Sequence, residues 1–137
     1  MIHRHRVFID SSFWIAFRSE KQTHHARARG IVADLFRERA QFLSTPFVFA
    51  EVHATFSRSV LVREQIIADF WENRLMHLAE ISNDDYHDAI ALLRQHEDKS
   101  YPFCDGVSFV IMQRLQISRV AAFDDHFHQF GEFEVLS

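Results

Sequence analysis

Four acidic residues occupy positions where a carboxylate can be more than a solvated surface group: Asp10, Glu51, Asp105 and Asp124. Asp10 closes the apolar run Val7-Phe8-Ile9 and Asp124 closes Val120 to Phe123, so each stands at the carboxyl end of a predicted strand. In an open parallel sheet, ligands bind in the crevice outside that end, because rigid strands there present side chains to solvent. Asp105 opens a predicted helix, where the helix dipole favours negative charge. Glu51 lies inside another predicted helix, among Phe47, Val48, Val52 and Ala54. A carboxylate in such apolar company is expensive unless it is paired or binds a cation. Taken singly, Asp10 and Asp105 read better as helix caps and Asp124 as a turn residue, whereas for Glu51 the edge of an amphipathic face is the weaker reading. Only convergence makes them a site, and periodicity does not show convergence.

The elements that must position these acids alternate short β-like runs with longer helical ones, the pattern of an α/β layer fold. Asp10-Ser11-Ser12 supplies N-cap chemistry for a helix through Phe17. His24 to Ala40 reads as a second helix, with Ala28, Ile31, Val32, Leu35 and Phe36 at helical spacing. Phe42-Leu43 is a predicted strand, after which Thr45-Pro46 starts a helix reaching about Arg58. A fourth helix is expected from Val62 to Asn73, a strand at Met76 to Ala79, and a helix from Asn83 to His96 with Tyr86, Ile90 and Leu93 on one stripe. Asp105 to Leu115 is the next helix, followed by strands at Val120 to Phe123 and Phe133 to Leu136.

Four stretches then carry a resemblance. Val-Phe-Ile-Asp10-Ser-Ser-Phe, Thr-Pro-Phe-Val-Phe-Ala-Glu51-Val, Tyr-Pro-Phe-Cys-Asp105-Gly-Val-Ser-Phe-Val-Ile-Met and Ala-Phe-Asp124-Asp125-His-Phe stand in the order of the motif blocks of PIN domains. They are most similar to VapC-type toxins, over about Val7 to Leu136. The resemblance implies a Rossmann-like, three-layer α/β fold with about five mainly parallel strands flanked by helices. It also implies an acidic pocket and endoribonuclease activity dependent on Mg²⁺, or alternatively Mn²⁺. Asp10 and Asp105 are then direct metal ligands, and Glu51 and Asp124 complete the set directly or through water. A homodimer and a small antitoxin protein are the implied partners beside the RNA substrate. Ser12 matches a hydroxyl residue that orients Asp10 or a water, and Asp125 is the second choice to Asp124. Pro102 and Cys104 stand where the family usually has Ser and Thr, which removes hydroxyls near Asp105.

The chemistry is physically coherent. Clustered carboxylates repel one another, and a hard divalent ion with oxygen ligands relieves that repulsion. Such an ion can activate water for in-line attack on phosphorus, so no Ser or Cys nucleophile is needed. Thr55 and Arg58 follow Glu51 at helical spacing, making Arg58 a candidate for a substrate phosphate; a solvated arginine at a helix end is the alternative. His53 points to nearly the opposite side from Glu51. His126 is expected to support the loop that carries Asp124.

Composition bounds the remaining possibilities. The chain has 137 residues with 47% hydrophobic and 25% charged, which fits one globular domain over residues 1–137. Its 15 Phe predict a core dense in rings. Net charge is −4, but residues 1–40 hold eight Lys/Arg against four Asp/Glu, and the rest seven against fifteen. That basic segment reads equally as a solvated face or a phosphate-tracking surface. A lone Cys104, no signal-peptide pattern and no apolar run of membrane length point to a cytoplasmic protein without a membrane role. His3/His5, His24/His25 and His126/His128 lack the second Cys or the paired spacing of a zinc site. A phospho-receiver domain needs a lysine after a strand, and Lys21 and Lys99 are not so placed. An aspartyl phosphatase wants a second Asp where Ser12 stands. The remaining alternatives are a PIN nuclease of RNA processing and a nucleic-acid-binding module with a weak site.

Overall fold

A computed structural model describes residues 5–137. His3 therefore lies outside the described residues. The elements in order are β1 (Arg6–Ile9), α1 (Ser11–Arg18), α2 (His25–Arg37), β2 (Gln41–Ser44), α3 (Pro46–Thr55) and α4 (Val60–Ile67). A π turn (Ala68–Glu72), β3 (Met76–Leu78), α5 (Asn83–Gln95), α6 (Phe103–Leu115), β4 (Arg119–Ala121), α7 (His126–Phe130) and β5 (Glu134–Leu136) follow. The five strands form one sheet in the order β3-β2-β1-β4-β5. Every pairing is parallel. The expectation of a mainly parallel α/β sheet flanked by helices is met.

The strand order decides where a site can form. From β1 the chain builds outward through β2 and β3, then returns to place β4 on the other side of β1. The carboxyl ends of β1 and β4 thus flank the point where the winding reverses, the natural crevice of such a sheet. Val7, Phe8 and Ile9 are all fully buried, as expected for a central parallel strand covered on both faces. Helix α6 is buried almost all round, from Cys104 to Met112. It approaches α5 so closely that a Cβ on Gly106 would meet Leu93 Cγ at 3.1 Å. That spacing sets how deep α6 sits beneath the crevice.

Several boundaries differ from the sequence expectation. Helix α3 stops at Thr55, short of Arg58. The fourth helix is not one α-helix from Val62 to Asn73 but α4 running into the π turn. That wider turn carries buried Asp69 against α1, where Trp14 Nε1 donates to it at 2.9 Å. Arg18 adds a two-pronged ion pair at 2.7 and 2.6 Å. This hub pins the far end of α1, the helix that begins beside Asp10. On α5 the buried positions are Asp85, Ala89 and Leu92, while Ile90 is exposed. Buried Asp85 is satisfied by a capping box with Ser82 and by Arg114, so the buried stripe lies one residue before the expected Tyr86, Ile90 and Leu93, and an acid is part of it. Strand β4 ends at Ala121, leaving Asp124 in the loop beyond it.

Candidate metal centre

Asp10 is the residue at which β1 becomes α1. It is fully buried, and it caps α1 by accepting from Ser12 N at 3.2 Å. The Ser12 hydroxyl donates to the same Oδ2 at 2.6 Å. That hydroxyl oxygen also accepts from Phe123 N at 3.0 Å and Asp124 N at 3.4 Å. One serine thus ties the end of β1 to the loop after β4. The other oxygen of Asp10, Oδ1, is buried with no hydrogen-bond partner. The charge of Asp124 acts on this carboxyl, and an ionised carboxylate is an acceptor that cannot satisfy another acceptor.

Asp105 comes from the first turn of α6 and is 4% exposed. Its Oδ2 is hydrogen bonded to His126 Nδ1. His126 N in turn donates to Asp124 Oδ1 at 3.1 Å, so His126 connects two of the acids. The expectation that His126 supports the Asp124 loop matches this geometry. Its reach to Asp105 has no local sequence signal, because the partner is 21 residues away. One ligand atom each from Asp105, Asp124 and His126 falls within 4.8 Å of the others.

The electrostatics follow from this crowding. Burial, then the charge of Asp124, pushes the Asp10 carboxyl well above its ordinary value, against the pull of the Ser12 hydrogen bond. Asp105 is pushed up to about 6 by burial and then by Asp124, against the opposing His126 contact. Raised carboxyls beside a buried unsatisfied oxygen are the condition a hard cation relieves. The donor set fits a divalent ion. Asp10, Asp105 and Asp124 present the oxygens, and Glu51 stands close enough to raise Asp105 through its charge.

Two sequence arguments need correction. Glu51 is exposed, not enclosed by apolar neighbours; α3 buries Val48 and Val52, and Glu51 lies off that face. It belongs to the rim of the cluster, where its charge helps to push the Cys104 thiol up. Arg58 lies beyond the end of α3 and is exposed, so the helical spacing that linked it to Glu51 does not apply. Asp125 is exposed at the start of α7, whereas Asp124 faces the cluster.

The PIN domain family matches residues 7–132. The chain belongs to the PIN domain family. Among curated relatives, the 23S rRNA-specific endonuclease VapC20 of Mycobacterium tuberculosis (strains CDC 1551 / Oshkosh and ATCC 25618 / H37Rv) is 25% identical over 130 residues, covering 94% of this chain and 97% of the relative. The crystal structure of M. tuberculosis VapC20, described as a sarcin-ricin loop cleaving toxin, superposes with a TM-score of 0.86 at 23% identity, over 96% and 99% of the two chains. VapBC2 from Rickettsia felis, bound to a DNA fragment from its promoter, superposes at 0.65 with 9% identity, over 95% and 96%. These likenesses place the PIN fold.

Cys104 tests how this PIN domain's site uses its neighbours. Its thiol is buried and pushed up, first by desolvation and then by the charge of Glu51. It is therefore a neutral thiol at pH 7 and not a nucleophile. Alkylation at pH 7 should be more than about tenfold slower in the folded protein than after denaturation. Cys104→Ser should retain activity. Rapid labelling of the native protein would contradict this assignment.

Proposed function

We propose that this PIN domain is a divalent-metal-dependent endoribonuclease and the toxin of a toxin–antitoxin pair. The observation that carries the reading is Asp10: fully buried, with one carboxylate oxygen lacking any donor and Asp105 and Asp124 around it. Asp10, Asp105 and Asp124 hold the ion, with Glu51 acting from the rim. When bound, Mg²⁺ or Mn²⁺ supplies charge neutralisation at the scissile phosphate and lowers the pKa of attacking water. Ser12 holds Asp10 in orientation, and His126 does the same for Asp105 and the Asp124 loop. Phosphodiester hydrolysis then depends on positioning and electrostatics, with no covalent enzyme intermediate.

The VapC20 relatives support RNA as substrate, and VapBC2 supports a small antitoxin partner. Apolar surface supports assembly, including a homodimer. Val60, Leu61 and Trp71 are 62%, 72% and 54% exposed, and a groove of about 830 Å³ opens beside Trp71, Phe47 and Tyr86. Exposed apolar surface of this kind marks interaction sites. Light scattering should give a dimer mass; a strict monomer across a wide concentration range would remove the homodimer. A cytoplasmic location goes with the proposed role. No helix among the described residues is long and apolar enough to cross a membrane.

Activity is the direct test. Purified protein should cut RNA with Mg²⁺ or Mn²⁺ and stop on addition of EDTA, and its expression should arrest bacterial growth. Cleavage indifferent to EDTA would overturn the metal mechanism. Failure both to cut a broad RNA panel and to arrest growth would overturn the ribonuclease.

A further inference from the structure

A column of aromatic rings leads from the core to solvent beside the acid cluster. Phe13, fully buried on α1, stacks on Phe123 with centroids 5.3 Å apart and planes inclined by 12°. On Phe123 lies His24, 4.5 Å away and inclined by 10°. His24 is exposed, and it makes no other ring contact among the described residues. Phe123 directly precedes Asp124, and its backbone N–H is held by the Ser12 hydroxyl that orients Asp10. The middle ring of the column is therefore fixed to the wall of the candidate metal centre, and His24 is the next ring outward.

The residue chosen at position 24 adds an independent observation. His24 is the N-cap of α2, and its side chain caps nothing. Ser, Thr, Asp or Asn there would stabilise the helix by satisfying an orphan N–H. The adjacent His25 is fixed structurally, its Nδ1 bonded to Ala16 O at 2.8 Å, while His24 is spent on the stack. Lys21 and Arg29 nearby are exposed and form no ion pair among the described residues. An exposed flat ring, with exposed cations close to it in the sequence and stacked on the residue that precedes Asp124, has the elements of single-stranded RNA recognition: π-faces for bases and positive charge for the backbone.

We propose that His24 is the exposed end of a base-stacking platform, on which one unpaired RNA base lies flat as the next ring after Phe13, Phe123 and His24. The platform sets which nucleotide stands next to the scissile phosphate. The inference rests on the ribonuclease reading and deepens it to a single-stranded or looped substrate.

The test uses the full chain carrying Asp10→Asn, so that RNA binds without being cut, and short single-stranded RNAs with one 2-aminopurine at successive positions. In the presence of Mg²⁺ one position should be quenched on binding. His24→Ala should abolish that quenching and weaken binding about ten- to a hundredfold, whereas His24→Phe should preserve both. In the otherwise native enzyme, His24→Ala should raise KM far more than it lowers kcat, with the melting temperature nearly unchanged. A purely structural stack predicts the reverse: a lower melting temperature and unchanged quenching, which would overturn the platform. If the native enzyme cuts RNA but no position is quenched, the platform falls and the ribonuclease stands. If the protein neither binds nor cuts RNA, both fall.

Discussion

Asp10→Asn should reduce RNA cleavage by well over about 10²-fold while leaving the fold intact. Loss of a mere outer-shell partner in a metal site typically costs about 10- to 100-fold, and Asp10 is proposed for the inner set. Its Oδ1 is the buried oxygen that finds no donor in the protein, so a cation is its natural partner. The substitution keeps the shape and still offers an oxygen to Ser12, which donates to Asp10 at 2.6 Å from its hydroxyl. What it removes is the charge. Circular dichroism should match the native protein, and growth arrest on expression should be relieved. Asp124→Asn should follow the same course, and Asp125→Asn should have little effect because Asp125 is exposed and outside the cluster. A fully active Asp10→Asn protein would remove the metal centre.

The second large effect is on stability, and its sign reverses with metal. Asp105 has a folded-state value of about 6 against 3.8 for the free group. Between those values the folded state holds more proton than the unfolded chain, so stability in EDTA falls as pH rises through that window. The loss from Asp105 is on the order of 2–3 kcal/mol, complete above about pH 6. Asp10 adds to it in the same direction. Asp85 acts oppositely, since its carboxyl is lowered by Ser82 and Arg114 despite the desolvation that works against them. Its contribution is present above the ordinary Asp value and is lost only at more acid pH, outside the window. Metal binds the ionised cluster and stabilises the folded state by mass action. Mg²⁺ or Mn²⁺ should therefore raise the melting temperature by several degrees at pH 7.5 and by much less at pH 5. Asp105→Asn should flatten the pH dependence in EDTA and shrink the metal-induced rise. Equal metal shifts at both pH values would contradict the linkage.

The sequence carried the sheet well because each strand holds a short apolar run, and those of β1 and β2 stop at Asp10 and at Thr45-Pro46, signals contained within a few residues. It carried Asp10 and Asp105 for the same reason: Asp10 caps α1 and Asp105 lies in the first turn of α6, two residues inside its start at Phe103, and a helix start is a local property. Longer-range features were hidden. Glu51 was read from its apolar sequence neighbours, but burial on α3 depends on which face meets the sheet, and that face is Val48 and Val52. Arg58 was placed by extending a helix whose end at Thr55 has no Gly or Pro to mark it. The π turn at Asp69 depends on Trp14 and Arg18, 55 and 51 residues earlier. The stack of His24 on Phe123 and the reach of His126 to Asp105 likewise join residues far apart in the chain, which no spacing rule reveals. The four motif blocks gave the membership; the imidazoles had to be seen in place.

The Ser12 hydroxyl, bonded at once to Asp10 and to the backbone of Phe123 and Asp124, has a consequence for synthesis. A ribosome delivers Asp10, Ser12 and Glu51 early, and domains generally fold as units once enough chain has emerged. The seam between β1 and β4 closes only after Asp124 has left the exit tunnel, since the bonds that close it lie more than a hundred residues apart in the chain. An unfinished nascent chain holds the first acids of the centre but not the latch that assembles it. The centre can therefore assemble only when nearly the whole domain is available to fold.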